Sequence, residues 1–102
     1  MITITLMHDT DHQITGFRIS GHSGYSEEGS DIVCAAVSAL AQTALLGLMK
    51  YVPSQTAYEV EDGFLSVRLS QVSPQGQVIL ETMVLGFEQI VQQYGQYVIL
   101  HP

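Results

Sequence analysis

A single cysteine, Cys34, serves the whole chain, and only Arg18, Lys50 and Arg68 carry a permanent positive charge. One thiol excludes an intramolecular disulfide and a multi-thiolate zinc site. It suits a reducing compartment and is awkward in a secreted protein. The opening residues, 1–17, lack a basic stretch followed by an apolar run. No secretory signal is therefore expected, and the cytoplasm is the expected compartment. Three basic residues against ten acidic ones give a formal charge of −7, without the basic footprint that a phosphate backbone requires. No direct nucleic-acid binding is expected. Such a field either attracts a basic partner or serves solubility alone.

Length is limited too. With 102 residues, 46% of them hydrophobic, the chain can build one core and not two, so residues 1–102 are read as one domain. No linker or low-complexity segment interrupts it.

Against these shortages stands one long apolar run, IVCAAVSALAQTALLGLM at 32–49, which reaches the roughly 18-residue length of a candidate membrane span. Ser38, Gln42, Thr43, the many alanines and the strand-like flanks favour a buried central helix instead, and no membrane association is expected. ITITLM (2–7) and ITGFRIS (14–20) alternate like half-buried strands, joined across HDTDHQ. The helix is predicted from about Asp31 to Tyr51, with Pro53 marking its end. TAYEVE and FLSVRLS flank Asp62-Gly63, a two-residue hairpin signal. QVSPQG punctuates the chain before a second helix, QVILETMVLGFEQIVQQYG, whose Ile79, Met83, Phe87, Ile90, Val91 and Tyr94 recur at three- and four-residue spacing. Gly95 stands where a helix C-terminal glycine usually does, and YVIL closes the chain as a strand. The order is ββαββαβ, a single compact α/β (α+β) domain with its long first helix largely buried against the sheet. The Ala-rich surface of that helix would also allow close packing on a neighbouring subunit.

The chemistry concentrates between residues 21 and 38. His22 follows the second strand, and Cys34 falls in the first turn of the predicted helix whether Ser30 or Asp31 caps it. A helix N-terminus favours a thiolate over a thiol, and a neighbouring imidazolium would favour it further. First-turn N–H groups are candidates for holding an oxyanion. Gly21, Gly24 and Gly29 permit backbone conformations closed to other residues, in a loop with Ser23, Tyr25, Glu27, Glu28 and Ser30. Such a loop could order over a bound peptide, with Tyr25 above it and the two glutamates meeting its basic residues. Asp31, Cys34 and Ser38 share one helix face. Asp31 either orients the His22 ring or caps the helix; Ser38 is either a satisfied helix hydroxyl or a catalytic helper. Spacing alone leaves Cys34 open as well, because a lone cysteine in an Ala-rich helix is commonly a core residue. His8, Asp9, Asp11 and His12 invite a metal reading, but turn residues splayed into water explain them better. No metal or cofactor is expected, and His101 reads as a surface residue.

GHSGYSEEGSDIVCAAVSAL, residues 21–40, resembles the signature of the ribosomal-processing cysteine protease family, Prp. That signature is a Gly-His pair, a glycine-containing loop, then Asp-Ile-Val-Cys-Ala followed by small residues and Ser. ILETMVLGFEQIVQQY, residues 79–94, is similar to the family's Leu/Glu-rich segment ending in Tyr. Ser23 departs from the Ala that commonly follows the histidine, a small-for-small change. The resemblance implies a cysteine endopeptidase that removes the N-terminal extension of bacterial large-subunit ribosomal protein twenty-seven. It implies Cys34 as nucleophile, His22 as base, a homodimer, a glycine-containing loop that shifts on peptide binding, and an apolar groove near Cys34. The alternative is a non-catalytic ribosome-assembly partner that grips basic ribosomal proteins through its acidic surface. A thiol redox sensor is disfavoured, since the chain has no resolving cysteine.

Overall fold

A computed structural model describes residues 1–21 and 30–102, without the side chains of Ser30 and Asp31. The described elements are β1 (Ile2–His8), β2 (Ile14–Ser20), α1 (Ser30–Tyr51), a 3₁₀ turn (Pro53–Gln55), β3 (Thr56–Glu61), β4 (Phe64–Leu69), α2 (Pro74–Tyr94) and β5 (Val98–His101). They follow the ββαββαβ order that the alternation and helical spacing predict. The five strands form one sheet in the order β3-β4-β2-β1-β5, antiparallel except where β5 pairs parallel to β1.

Cross-strand register assigns each side chain to a face. Ile4, Ile19, Leu65 and Val60 form one row, and Leu6, Phe17, Val67 and Tyr58 the next. Val98 and Leu100 of β5 stand beside Ile2 and Ile4 on the same face. Sheet residues from this face share one core with Val37 and Leu48 of α1 and Leu80 and Phe87 of α2, so the fold has two layers with both helices on one side. Phe17, Val67, Leu80 and Phe87 are fully enclosed, and each contributes roughly 1.5–3 kcal/mol by leaving water. The opposite face carries the polar row Glu59, Ser66, Arg18, Thr5 and His101.

α1 is long and apolar enough to cross a membrane by length and composition alone. In the fold it presents Val33, Val37, Ala41, Ala44 and Leu48 to the core, a stripe with the 3.6-residue period of a helix packed on a sheet. The expected burial of this helix holds along that stripe, whereas Ile32 and Leu46 stay 67% and 71% exposed. α1 and α2 run antiparallel, with Leu40 seated over Gly86 and Ile79 over Gly47. A Cβ on Gly86 would stand 2.7 Å from Leu40 Cδ1, so the glycine sets how closely the helices approach.

Two sequence expectations shift. QVSPQG is not only punctuation: Ser73 caps α2, its Oγ accepting from the Gly76 N–H at 3.2 Å, and Pro74 occupies the first turn, where its missing N–H costs nothing. Gly95 is right-handed (φ −60°, ψ −15°), so it does not supply a left-handed cap. Its need is for room, since a Cβ there would approach the Val91 carbonyl oxygen to 2.9 Å.

The far end of the β1–β2 pair is tied by polar groups. Asp9 Oδ1 accepts from the Asp11 and Gln13 amides at 2.9 and 3.0 Å, and His12 takes φ 63° to close the turn. This is the turn role expected for the HDTDHQ residues. Beside it the register shifts between Met7 and His8, and Gln77 of α2 reaches Ile14. Gln77 Oε1 accepts from the Ile14 N–H at 2.9 Å while Nε2 donates to the Ile14 carbonyl at 2.6 Å.

Candidate active site

Two helices about 10 Å apart cover roughly four strands spaced ~4.8 Å, and this sheet has five. The uncovered one is β3. Tyr58 and Val60 project from the helix-bearing face by register, yet they are 55% and 62% exposed. The step between α1 and the β3–β4 hairpin is a groove of about 430 Å³. Its apolar lining comes from Val37, Ala41 and Leu45 of α1 and from Ile19, Val60 and Leu65 of the sheet.

Cys34 stands in the α1 wall of this groove, half-buried and packed against the core on one side. α1 begins at Ser30, so Cys34 is its fifth residue, at the start of the second turn and not in the first as the sequence predicts. The consequence is small, because helical side chains lean toward the N-terminus. The thiol therefore projects back over the first turn, the end where amides have no carbonyl earlier in the helix.

One turn along the same wall, Ser38 Oγ accepts from Gln42 Nε2 at 2.8 Å. Thr43 and Thr82 instead bond back to the carbonyls of Ala39 and Val78, as satisfied helix hydroxyls do. Ser38 therefore belongs to a polar pair lining the groove. Gln42 is absent from the sequence-based set of site residues. The spacing of 34, 38 and 42 on one helix face is the signal that could have found it.

Gly21 forms part of the groove lining and directly follows β2. Its φ of +82° favours glycine, and a Cβ there would collide with the Met1 carbonyl oxygen. Its N–H donates to the Gly63 carbonyl at 3.0 Å, which ties the end of β2 to the β3–β4 turn. Glu61 and Asp62, exposed at that turn, complete the groove. The segment 22–29 thus joins Gly21 in the groove lining to Ser30, one turn before Cys34. The expected base His22 and the loop residues Ser23, Gly24, Tyr25, Glu27, Glu28 and Gly29 lie outside the described residues, as do the side chains of Ser30 and Asp31. Among the described residues no three His, Cys, Asp or Glu side chains converge as metal ligands.

The arrangement offers one thiol, a short polar wall and an apolar trench open to solvent, suited to a peptide and its side chains. Known proteins agree along the whole chain. A ribosomal processing cysteine protease Prp of Staphylococcus aureus is 29% identical over 105 residues, covering 99% of this chain and 98% of the relative. The corresponding Bacillus subtilis protein is 27% identical over 101 residues, covering 92% and 90%. The crystal structure of the S. aureus protease in complex with a covalently linked product peptide superposes with a TM-score of 0.87 at 25% identity, over 99% of this chain and 98% of that one. A family model described as cysteine protease Prp matches residues 1–99, and with the fold in agreement from end to end, this chain belongs to that family and is a cysteine protease.

Proposed function

We propose that this chain is an endopeptidase that removes the N-terminal extension of bacterial large-subunit ribosomal protein twenty-seven, with Cys34 as nucleophile and His22 as base and acid. The observation that carries the reading is the placement of the sole cysteine in the wall of an apolar groove whose volume, about 430 Å³, falls within the range of ligand clefts. The Cys34 thiolate attacks the scissile carbonyl, and N–H groups at the start of α1 hold the oxyanion. His22 gives its proton to the leaving amine. Water then attacks the thioester while His22 takes one of its protons, releasing the acid product and restoring the Cys34 thiolate beside protonated His22. The S. aureus relative was solved with a covalently linked product peptide, which supports a covalent route; in this scheme the covalent intermediate is a thioester through Cys34.

Asp31 orients His22 or caps α1 in this scheme, and Ser38 lies on the substrate side with Gln42. The loop carrying Tyr25, Glu27 and Glu28 shifts as the peptide enters. The protein acts in the cytoplasm as a homodimer; exposed Ile32 and Leu46 on α1 and Leu85 on α2 supply apolar surface for a second copy to cover. The non-catalytic assembly partner gives way, since the family is one of proteases.

The test is incubation of wild type and Cys34→Ala with the extended ribosomal protein, the new N-terminus being read by mass spectrometry. Wild type should yield one shortened product and the variant none. Normal processing by Cys34→Ala would sink the mechanism; an untouched extension with wild type would sink the substrate.

A further inference from the structure

One polar pair interrupts the apolar wall that α1 gives to the groove. Cys34, Ser38 and Gln42 stand at successive turns of one helix face, and all three line the cavity beside Val37, Ala41 and Leu45. The hydrogen bonding of this pair differs from that of the other helix hydroxyls. Thr43 and Thr82 each donate to the carbonyl four residues earlier, both at 2.7 Å. Half-buried Ser38 does not bond back in that way; its Oγ accepts from Gln42 Nε2 at 2.8 Å. Among the described residues the Ser38 O–H meets no acceptor and Gln42 Oε1 meets no donor. The pair therefore holds itself together and turns one donor and one acceptor toward the groove.

We infer that Gln42 is a substrate-anchoring residue which, with Ser38, binds the main chain of the peptide a few residues from the scissile bond. The inference rests on the groove being the peptide site proposed above. A peptide backbone carries the complementary groups: its N–H donates to Gln42 Oε1, and its carbonyl accepts from the Ser38 O–H. Spacing gives the register. At 1.5 Å per helical residue, Ser38 and Gln42 lie about 6 and 12 Å from Cys34 along α1. An extended peptide advances about 3.3 Å per residue, so the pair meets it about two to four residues from the bond that Cys34 attacks. Apolar contacts alone would let a peptide slide along the trench, whereas a few placed polar groups fix its orientation.

The experiment uses a fluorescent peptide spanning the junction between the extension and the mature ribosomal protein, together with a series in which each main-chain N–H is replaced in turn by an ester oxygen. Binding is measured by anisotropy on protein carrying Cys34→Ala, so that the readout does not depend on turnover. Adding Gln42→Met, which keeps side-chain length and helix propensity, should weaken the all-amide peptide about tenfold. Ser38→Ala should weaken it by a similar factor and, because the pair acts as one unit, add little to Gln42→Met. One ester, about two to four residues from the junction, should cost a comparable factor when Gln42 is present and nothing further in Gln42→Met. Unchanged affinity in Gln42→Met, losses at the two residues that simply multiply, or ester losses that are the same with and without Gln42 at every position overturn the inference. Gln42 is exposed, so melting curves of the variants should coincide with that of the parent. Cleavage by wild type is scored separately. A peptide that is cut but ignores Gln42 overturns only this inference, one that binds through Gln42 without being cut overturns only the proposed function, and one that does not bind overturns both.

Discussion

The two ends of the β1–β2 pair treat their polar groups in opposite ways. At the Asp9–Gln13 end they bond to the fold's own backbone. Asp9 closes the turn, and the Gln77 amide meets both backbone groups of Ile14 inside the core. At the Gly21 end, Ser38, Gln42, Glu61 and Asp62 line a groove beside Cys34. The difference teaches where to look for chemistry. Groups bonded to the backbone of distant or turn residues hold the fold together, while groups that line a solvent-open trench stand where a ligand can reach them.

Substitutions at each end should separate the two roles. Cys34→Ala has the largest expected effect, a loss of cleavage on the order of 10⁴-fold or more with little change in the thermal midpoint. Mass spectrometry of the product and a melting curve check the two halves of that statement. Gln77→Ala should do the reverse. It strands a buried N–H and carbonyl of Ile14, costing about 2–4 kcal/mol by urea denaturation, while cleavage per folded molecule holds. If it lowered cleavage without lowering stability, the separation would fail. Gly21→Ala should cross the boundary: a left-handed φ and the Met1 carbonyl make it cost about 1–3 kcal/mol, and as a groove residue it should slow cleavage as well. Asp9→Ala should be smallest, about 1 kcal/mol or less at an exposed turn, with cleavage unaffected.

Much of this was legible in the chain, for reasons that differ along it. Strand alternation in 2–7 and 14–20 and the Asp62-Gly63 turn are local signals, and the elements they predict are present. The start of α2 was less clear because Ser73-Pro74 reads equally as a loop and as a capped helix N-terminus. Gln77 gave no sign at all. Its partner lies 63 residues away, and nothing local distinguishes a glutamine that clamps a strand from one in water. At the site, Cys34 stood out by being alone, and Ser38 by sharing its helix face. Val60, Leu65, Glu61 and Asp62 did not, because a groove wall made by a hairpin exists only once the sheet outgrows its helices. That mismatch of widths is a property of packing and not of any segment.

The solitary thiol has a practical consequence. Any cysteine-directed reporter, whether fluorophore, spin label or mass tag, would attach at one defined position, in the groove wall, without prior engineering. The rate of that attachment then measures vacancy. A peptide that fills the trench should shield the thiol in proportion to its occupancy, so the natural sequence carries its own titration probe.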